Sequence, residues 1–256
     1  MSLVVIKLGG AVMEQAEPAL KLFRTVADLQ AKGHQVVLVH GGGIFVEQQM
    51  QAQQLVSDKL DGLRVTPDEH MPVVVGALAG YANKLLVSYA KQSGVDACGI
   101  SLADGGITTA TVLNPKLGAV GTCQAADPAL VQALLSAGKV PVISSIAMSA
   151  EGRLLNVNGD DAATVIAQLL SADLVLLSDV DGVLDGNKQL IPQLDEAGIE
   201  QLIADGVITD GMIPKTKAAL ATARSLSRPI AVANWRYPER LAGLLQGEPV
   251  GTRILP

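Results

Sequence analysis

Two apolar runs near the start of the chain end in consecutive glycines: Leu3-Val4-Val5-Ile6-Lys7-Leu8-Gly9-Gly10 and Val36-Val37-Leu38-Val39-His40-Gly41-Gly42-Gly43. Helix-compatible sequence follows each. Glycine lets a backbone approach a ligand closely and aim several N–H groups at it. A helix N-terminus beside such a loop adds partial positive charge suited to phosphate or a developing anion. Lys7 lies two residues before the first glycine pair. Two such loops, one carrying a lysine, point to negative charge handled between them.

The common phosphate and oxyanion motifs do not account for these loops. A P-loop requires G-x-x-x-x-G-K-[ST], but Gly138-Lys139 is followed by Val140 and has Ala133 in place of the first glycine. The dinucleotide fingerprint G-x-G-x-x-G starts at Gly41 and fails at Val46. His40-Gly41-Gly42-Gly43 also copies an esterase oxyanion loop. That triad order places its histidine after the serine, whereas His34, His40 and His70 all precede Ser101 of the imperfect elbow Gly99-Ile100-Ser101-Leu102-Ala103. Tight strand-to-helix turns with no ligand are the bland alternative at this point.

Four further clusters carry potential chemistry. Arg64 in Gly62-Leu63-Arg64-Val65-Thr66 can grip a carboxylate bidentately or be a plain surface arginine. Asn156-Val157-Asn158-Gly159-Asp160-Asp161 opens a helix with more polar residues than a cap needs. Ser178-Asp179-Val180-Asp181-Gly182-Val183-Leu184-Asp185 follows a buried strand and suits a nucleotide pocket or an ordinary turn. It is no EF-hand, since Leu190 stands where the bidentate glutamate belongs. Thr209-Asp210-Gly211-Met212-Ile213-Pro214-Lys215 begins a helix with a cation near its N-terminus. The macrodipole disfavours a cation there, which hints at an anionic partner.

The elements that must position these residues alternate strand and helix. Strands are expected at Leu3–Leu8, Gln35–His40, Ala97–Ser101, Val140–Ile143, Leu174–Leu177 and Ile230–Ala233. Helices are expected at 18–31, 44–53, 161–170, 195–204 and 215–226. A long helix should start after Thr66, capped by its hydroxyl, with Pro67 first and Asp68 and Glu69 in the first turn. Residues 104–124 read as hairpins. Continuous Val/Ile/Leu strands between helices indicate a parallel sheet covered on both faces, with ligands at the strands' carboxyl ends.

Composition agrees with an α/β enzyme. Of the 256 residues 49% are apolar and only 2% aromatic, so the core is aliphatic. A net charge of −6 without basic blocks excludes a nucleic-acid surface. Cys98 and Cys123 lack metal or CxxC spacing and suit reduced core residues of a cytoplasmic protein. The apolar stretch 71–90 is interrupted by Pro72, Asn83 and Lys84, which suits a buried or interface helix rather than a membrane span.

In combination these strings resemble the amino acid kinase family. The likeness is carried by Ile6-Lys7-Leu8-Gly9-Gly10, Val39-His40-Gly41-Gly42-Gly43, Gly62-Leu63-Arg64-Val65-Thr66, Gly76-Ala77-Leu78-Ala79-Gly80, Asn156-Val157-Asn158, Leu177-Ser178-Asp179-Val180 and Ile208-Thr209-Asp210-Gly211-Met212. It runs from Leu3 to Gly251-Thr252-Arg253-Ile254-Leu255.

The resemblance implies a three-layer αβα sandwich with a central, mostly parallel sheet. It implies one domain over 1–256 with two lobes: about 1–160 for substrate binding and dimerisation, and about 161–256 for ATP. It implies phosphorylation of the side-chain carboxylate of N-acetyl-L-glutamate by ATP in arginine biosynthesis, with Mg²⁺ arriving on the nucleotide and no protein metal ligand. Lys7 and Lys215 would flank the transferring group, and Asp160 would orient both lysines. The amides of Gly9, Gly10, Gly42 and Gly43 would bind phosphoryl and carboxylate oxygens, and Arg64 and Asn156 the rest of the substrate. Asp179, Val180, Asp181, Gly182, Val183, Leu184, Val207, Ile208 and Thr209 would contact the nucleotide. Asp104-Gly105-Gly106 departs from many relatives.

Arginine-inhibited relatives carry an extra N-terminal helix, whereas here the first strand begins at Leu3. The expectation is therefore a homodimer that arginine does not inhibit, meeting through the helix after Thr66, without nucleic-acid or membrane partners. Competing readings are a glutamate 5-kinase or uridylate kinase of the same fold, a nucleotide-dependent oxidoreductase, and a non-catalytic sensor.

Overall fold

The computed structural model describes residues 2–60, 62–209 and 212–256. Eight strands form the central sheet: β1 (Leu3–Leu8), β2 (Gln35–His40), β3 (Ala97–Ser101), β4 (Val140–Ser144), β5 (Asp173–Ser178), β6 (Gln193–Leu194), β7 (Ile230–Asn234) and β8 (Thr252–Ile254). Their order is β6-β8-β7-β5-β1-β2-β4-β3. Every neighbouring pair is parallel except β7 with β8. In the middle, Val4, Val5 and Ile6 are each at most 1% exposed. Consecutive strand residues face opposite ways, so both faces of the sheet are covered. This is why β1 and β2 read as continuous apolar runs rather than alternating ones.

The covering helices pack in pairs. Ala16–Ala31 lies against Asn83–Gln92 and β2, and Gly159–Leu170 lies against Met212–Leu226, β1, β2 and β5. From β1 the chain first builds toward β2, then returns to lay β5 on the other side of β1. That reversal opens a crevice at the carboxyl ends of the strands, where such sheets take ligands. A smaller sheet of Thr108–Val112, Val120–Ala125, Leu154–Val157 and Ile146–Met148 lies beside the main one. A two-stranded hairpin pairs Lys59–Leu60 with Leu63–Arg64. The first two strands of the small sheet are the hairpin expected within 104–124. The Asp104-Gly105-Gly106 departure is the turn that enters it. Asp104 Oδ2 accepts from the Ser101 N–H and hydroxyl, and Gly105 and Gly106 have φ of 62° and 68°.

Three features differ from the sequence expectation. Thr66 does not cap the long helix. Its hydroxyl donates to the Arg64 carbonyl (3.1 Å), and its backbone bonds to Leu117 and Ala119, so it is committed to the small sheet. The helix itself is not uniform: a 3₁₀ turn over Asp68–His70 leads into α-helix over Met71–Val75. A π-wound stretch, Gly76–Ala82, then gives way to α-helix at Asn83. It is also the one helix among the described residues long and apolar enough to cross a membrane, with mean hydropathy 1.3 over its best window. It packs Val74, Ala77, Leu86 and Ala90, each at most 1% exposed, into the core. Lastly, β8 carries no strand signal in the sequence, because it spans only three residues and pairs antiparallel with β7.

β8 nonetheless anchors the candidate nucleotide loop. Thr252, fully buried, accepts from the Val183 N–H (2.7 Å) and donates to the Ile191 carbonyl (2.8 Å). Thr252→Val keeps the shape and strands both partners. It should lower unfolding free energy by about 1–3 kcal/mol, the cost of unsatisfied buried polar groups. Urea denaturation measures this; an unchanged midpoint at unchanged slope would contradict it.

Candidate active site

Strand β1 ends at the crevice and presents Lys7 there. Lys7 Nζ lies 2.9 Å from Asp160 Oδ1, and the lysine side chain is only 18% exposed. The lysine stem is thus enclosed while its ammonium meets a fixed carboxylate. Asp160 comes from the first turn of helix Gly159–Leu170, whose cap is Asn158: its Oδ1 accepts from the Asp160 N–H at 2.7 Å. This accounts for three of the four polar residues of that run. One caps, and two others, Asn156 and Asp160, face the cavity.

The turns after β1 and β2 and the start of that helix approach one another closely. A Cβ on Gly159 would stand 3.3 Å from Gly41 N and 3.6 Å from Lys7 Cε. Gly42 has φ +142°, a region that L side chains rarely adopt, and a Cβ there would press on Leu78. Gly159 is therefore needed for close contact and Gly42 for its conformation, beyond mere turning. Among the described residues, the N–H groups of Gly9, Gly10, Gly42 and Gly43 have no main-chain partner in these turns. They line a cavity of about 590 Å³ together with Lys7, Arg64, Asn156 and Asp160.

Arg64 reaches this cavity from the Lys59–Arg64 hairpin. Its guanidinium meets Glu47 Oε2 (2.9 Å), the Gly43 carbonyl (3.2 Å) and the Ser57 hydroxyl. Hydrogen bonding from Arg64 holds the Glu47 carboxyl below the usual carboxylate range. Asn156 donates to Thr66 Oγ1 (3.3 Å), which ties the small sheet to the loop bearing Arg64.

The second lysine stands apart from this cavity. Lys215, in helix Met212–Leu226, pairs with Asp179 Oδ1 at 3.1 Å. In this structure Asp160 pairs with Lys7, and Asp179 pairs with Lys215. Asp179 immediately follows β5, so its carboxylate offsets the cation near a helix start, and the Lys215 hydrogen bond lowers its pKa. β5 neighbours β1, and a Cβ on Gly9 would lie 3.9 Å from the Leu177 carbonyl oxygen. The loop carrying Asp179 therefore begins beside the first glycine turn.

Of the residues expected to contact nucleotide, Asp181 lines a separate cavity of about 310 Å³ with Asn234, Tyr237 and Arg240. Val183 and Ile208 are 2% and 3% exposed, and their N–H groups are already bonded, to Thr252 and to the Leu202 carbonyl. Gly182 has φ +148°, and Leu184 bridges to Leu190. Val180 is half-buried and Thr209 exposed, both outside regular elements. Val207 packs toward Gly186, so the two loop segments meet. Asp210 and Gly211 lie outside the described residues.

One group the sequence singled out only as a loop letter is His40. It is fully buried, and desolvation pushes its imidazole down to about 4, against an opposing hydrogen bond to the Gly41 carbonyl. It is neutral at physiological pH. Of the cysteines, Cys123 is buried and Cys98 only half-buried; both are free. Burial raises the Cys123 thiol to about 12.

The chain is similar to known proteins over its full length. The chain is 53% identical to acetylglutamate kinase of Vibrio cholerae, over 100% of this chain and 98% of the relative. It is 50% identical to acetylglutamate kinase of Pasteurella multocida over the whole of both. The crystal structure of smu.665 from Streptococcus mutans superposes with a TM-score of 0.80 at 30% identity, covering 99% of this chain and 98% of that one. The model of the amino acid kinase family matches residues 2–234. A lysine–glycine turn, a triple-glycine turn and a helix start thus meet at one cavity in a chain that belongs to the amino acid kinase family.

Proposed function

We propose that the chain transfers the γ-phosphoryl group of ATP to the side-chain carboxylate of N-acetyl-L-glutamate, giving an acyl phosphate and ADP in arginine biosynthesis. The observation that carries this reading is the single cavity in which the Lys7–Asp160 pair, two glycine turns, Arg64 and Asn156 converge. Relatives bearing this activity's name at 50–53% identity over the full chain support it.

Phosphoryl transfer needs positioning and charge stabilisation more than covalent help. The substrate carboxylate oxygen attacks the γ-phosphorus as the bond to the ADP oxygen breaks. The N–H groups of Gly9, Gly10, Gly42 and Gly43 face the equatorial and carboxylate oxygens. They are preorganised dipoles that need no reordering during reaction. Asp160 keeps the Lys7 ammonium at the glycine turns. Lys215, held by Asp179 on the neighbouring strand end, exchanges that carboxylate for phosphate oxygens when nucleotide binds. Arg64 exchanges Glu47 for the substrate α-carboxylate, and Asn156 takes the adjacent amide. Residues 179–184 and 207–209 form the nucleotide site, with Val183 and Ile208 packed beneath it. Mg²⁺ would arrive on the nucleotide, held by its phosphates and water and neutralising their charge. Residues to about 160 and those beyond form two lobes that close on the substrates.

We further read the chain as a cytoplasmic homodimer; its free thiols suit a reducing compartment. The interface includes the long helix. Much of its apolar run is spent within the chain, but Tyr81 remains 56% exposed beside Phe45. Light scattering should give twice the mass of one chain across micromolar concentrations, and Tyr81→Glu should shift it toward one. A monomer in the wild type would remove this part.

Hydroxylamine trapping should give hydroxamate with N-acetylglutamate and Mg-ATP, and far less with glutamate or aspartate. A signal with glutamate alone would reassign the acceptor. Lys7→Ala and Lys215→Ala should each lower kcat by roughly 10²–10³-fold, the scale of a lost oxyanion-hole donor. Arg64→Ala should chiefly raise the KM for N-acetylglutamate, since it grips a part that does not react. A change in KM alone for Lys7→Ala would contradict its role in the transition state.

A further inference from the structure

The second glycine turn is braced by a buried chain of polar groups that the proposed chemistry does not use. His40 is the last residue of β2. Its Nδ1 lies 2.7 Å from the carbonyl oxygen of the next residue, Gly41, and its Nε2 lies 3.1 Å from Asn83 Nδ2. Asn83 is also fully buried, and it stands where the π-wound stretch returns to α-helix. π-turns inside helices are frequent at functional sites.

The neighbours decide which ring nitrogen carries the proton. Lys84 Nζ, which can only donate, lies 2.9 Å from Asn83 Oδ1 and 3.0 Å from the Gly99 carbonyl oxygen. The oxygen of the Asn83 amide therefore faces Lys84. Its NH₂ group faces the carbonyls of Val142 (2.9 Å) and Ile100 (3.2 Å), which only accept, and His40 Nε2. Nε2 must then be bare, and Nδ1–H donates to Gly41. Gly99 leaves the room for this network, since a Cβ there would collide with Asn83 Oδ1 and crowd Lys84 Nζ. In a trans peptide the N–H points opposite the C=O. Holding the Gly41 carbonyl against the ring thus turns the Gly42 N–H away from it, and both residues belong to the cavity wall.

We propose that His40 is a positioning residue: Lys84 and Asn83 lock it as the Nδ1–H tautomer, and that tautomer sets the Gly41–Gly42 peptide so that the Gly42 N–H is presented to anionic oxygens in the cavity. The proposal rests on the phosphoryl-transfer reading for what the peptide binds, but not for the tautomer.

Long-range ¹H–¹⁵N correlation spectra test the tautomer directly, because the chain has only three histidines. His40 should show a protonated Nδ1 and a bare Nε2 at neutral pH. A proton on Nε2 would overturn the proposal. Two variants then separate positioning from packing. His40→Asn places an amide nitrogen near the site of Nδ1, whereas His40→Gln places it near that of Nε2; both delete the ring. At equal folded fraction, His40→Asn should keep kcat/KM for N-acetylglutamate within about 3-fold, while His40→Gln loses about 10–100-fold through misaimed donors. Equal losses would mark His40 as packing alone. Asn83→Asp should draw a proton onto Nε2 in the spectrum while Nδ1–H stays on the Gly41 carbonyl; loss of the Nδ1 proton there would overturn the proposal. If neither histidine variant folds, the wild-type spectrum and Asn83→Asp decide. A wild type inactive toward N-acetylglutamate would remove the reaction, and the spectra would still decide the tautomer.

Discussion

The constraint on which the rest of the site depends is steric. Three backbone segments, after β1, after β2 and at the start of helix Gly159–Leu170, meet so closely that Gly159 has only 3.3 Å between a notional Cβ and Gly41 N. Nothing bulkier than glycine fits without displacing a neighbour. The chain thereby gains a wall of main-chain N–H groups and a helix N-terminus at one point, a favourable place for negative charge. The parallel sheet makes this possible, since parallel strands deliver their carboxyl ends, and the turns that follow, to the same edge.

Charge is then added to a surface that is already dipolar. Three cations, Lys7, Arg64 and Lys215, enter from separate elements, and each is paired with a carboxylate: Asp160, Glu47 and Asp179. Without such partners the cations would repel one another and the positive helix end. With them, a side chain is held near its working place, and an incoming anion competes for a cation already aimed. Lys7 is the least exposed of the two lysines, at 18% against 55% for Lys215. It is therefore the more rigidly placed, and Lys215 the more readily exchanged.

Much of this was legible in the chain. The glycine turns, β1, β2 and the polar helix start carry their own local signals: apolar runs, Gly pairs, and Asn or Asp in excess of one cap. The tie between Arg64 and Asn156 through Thr66 was not legible, because it joins segments 90 residues apart and depends on the small sheet. The same holds for Asp179 as the partner of Lys215. A sequence shows which carboxylates exist, and only strand order shows that β5 lies beside β1. Thr66 misled because a threonine before proline and two acids satisfies the capping pattern, while its hydroxyl is spent on Arg64. The buried His40–Asn83 pair was hidden for a further reason: His40 reads as part of a glycine turn and Asn83 as an interruption of an apolar helix, and π-winding leaves no clear periodic signature.

The central claim is that the converged turns and Lys7 stabilise charge that develops only during transfer. The most direct test compares two affinities by calorimetry in the wild type and in Lys7→Ala. One is for N-acetylglutamate alone; the other is for N-acetylglutamate in the presence of Mg-ADP and aluminium fluoride, which mimics the transferring phosphoryl group. The account predicts that Lys7→Ala leaves the first nearly unchanged and weakens the second by roughly 10²-fold or more, as differential transition-state binding requires. Equal weakening of both would show that Lys7 only binds substrate, and would contradict the account.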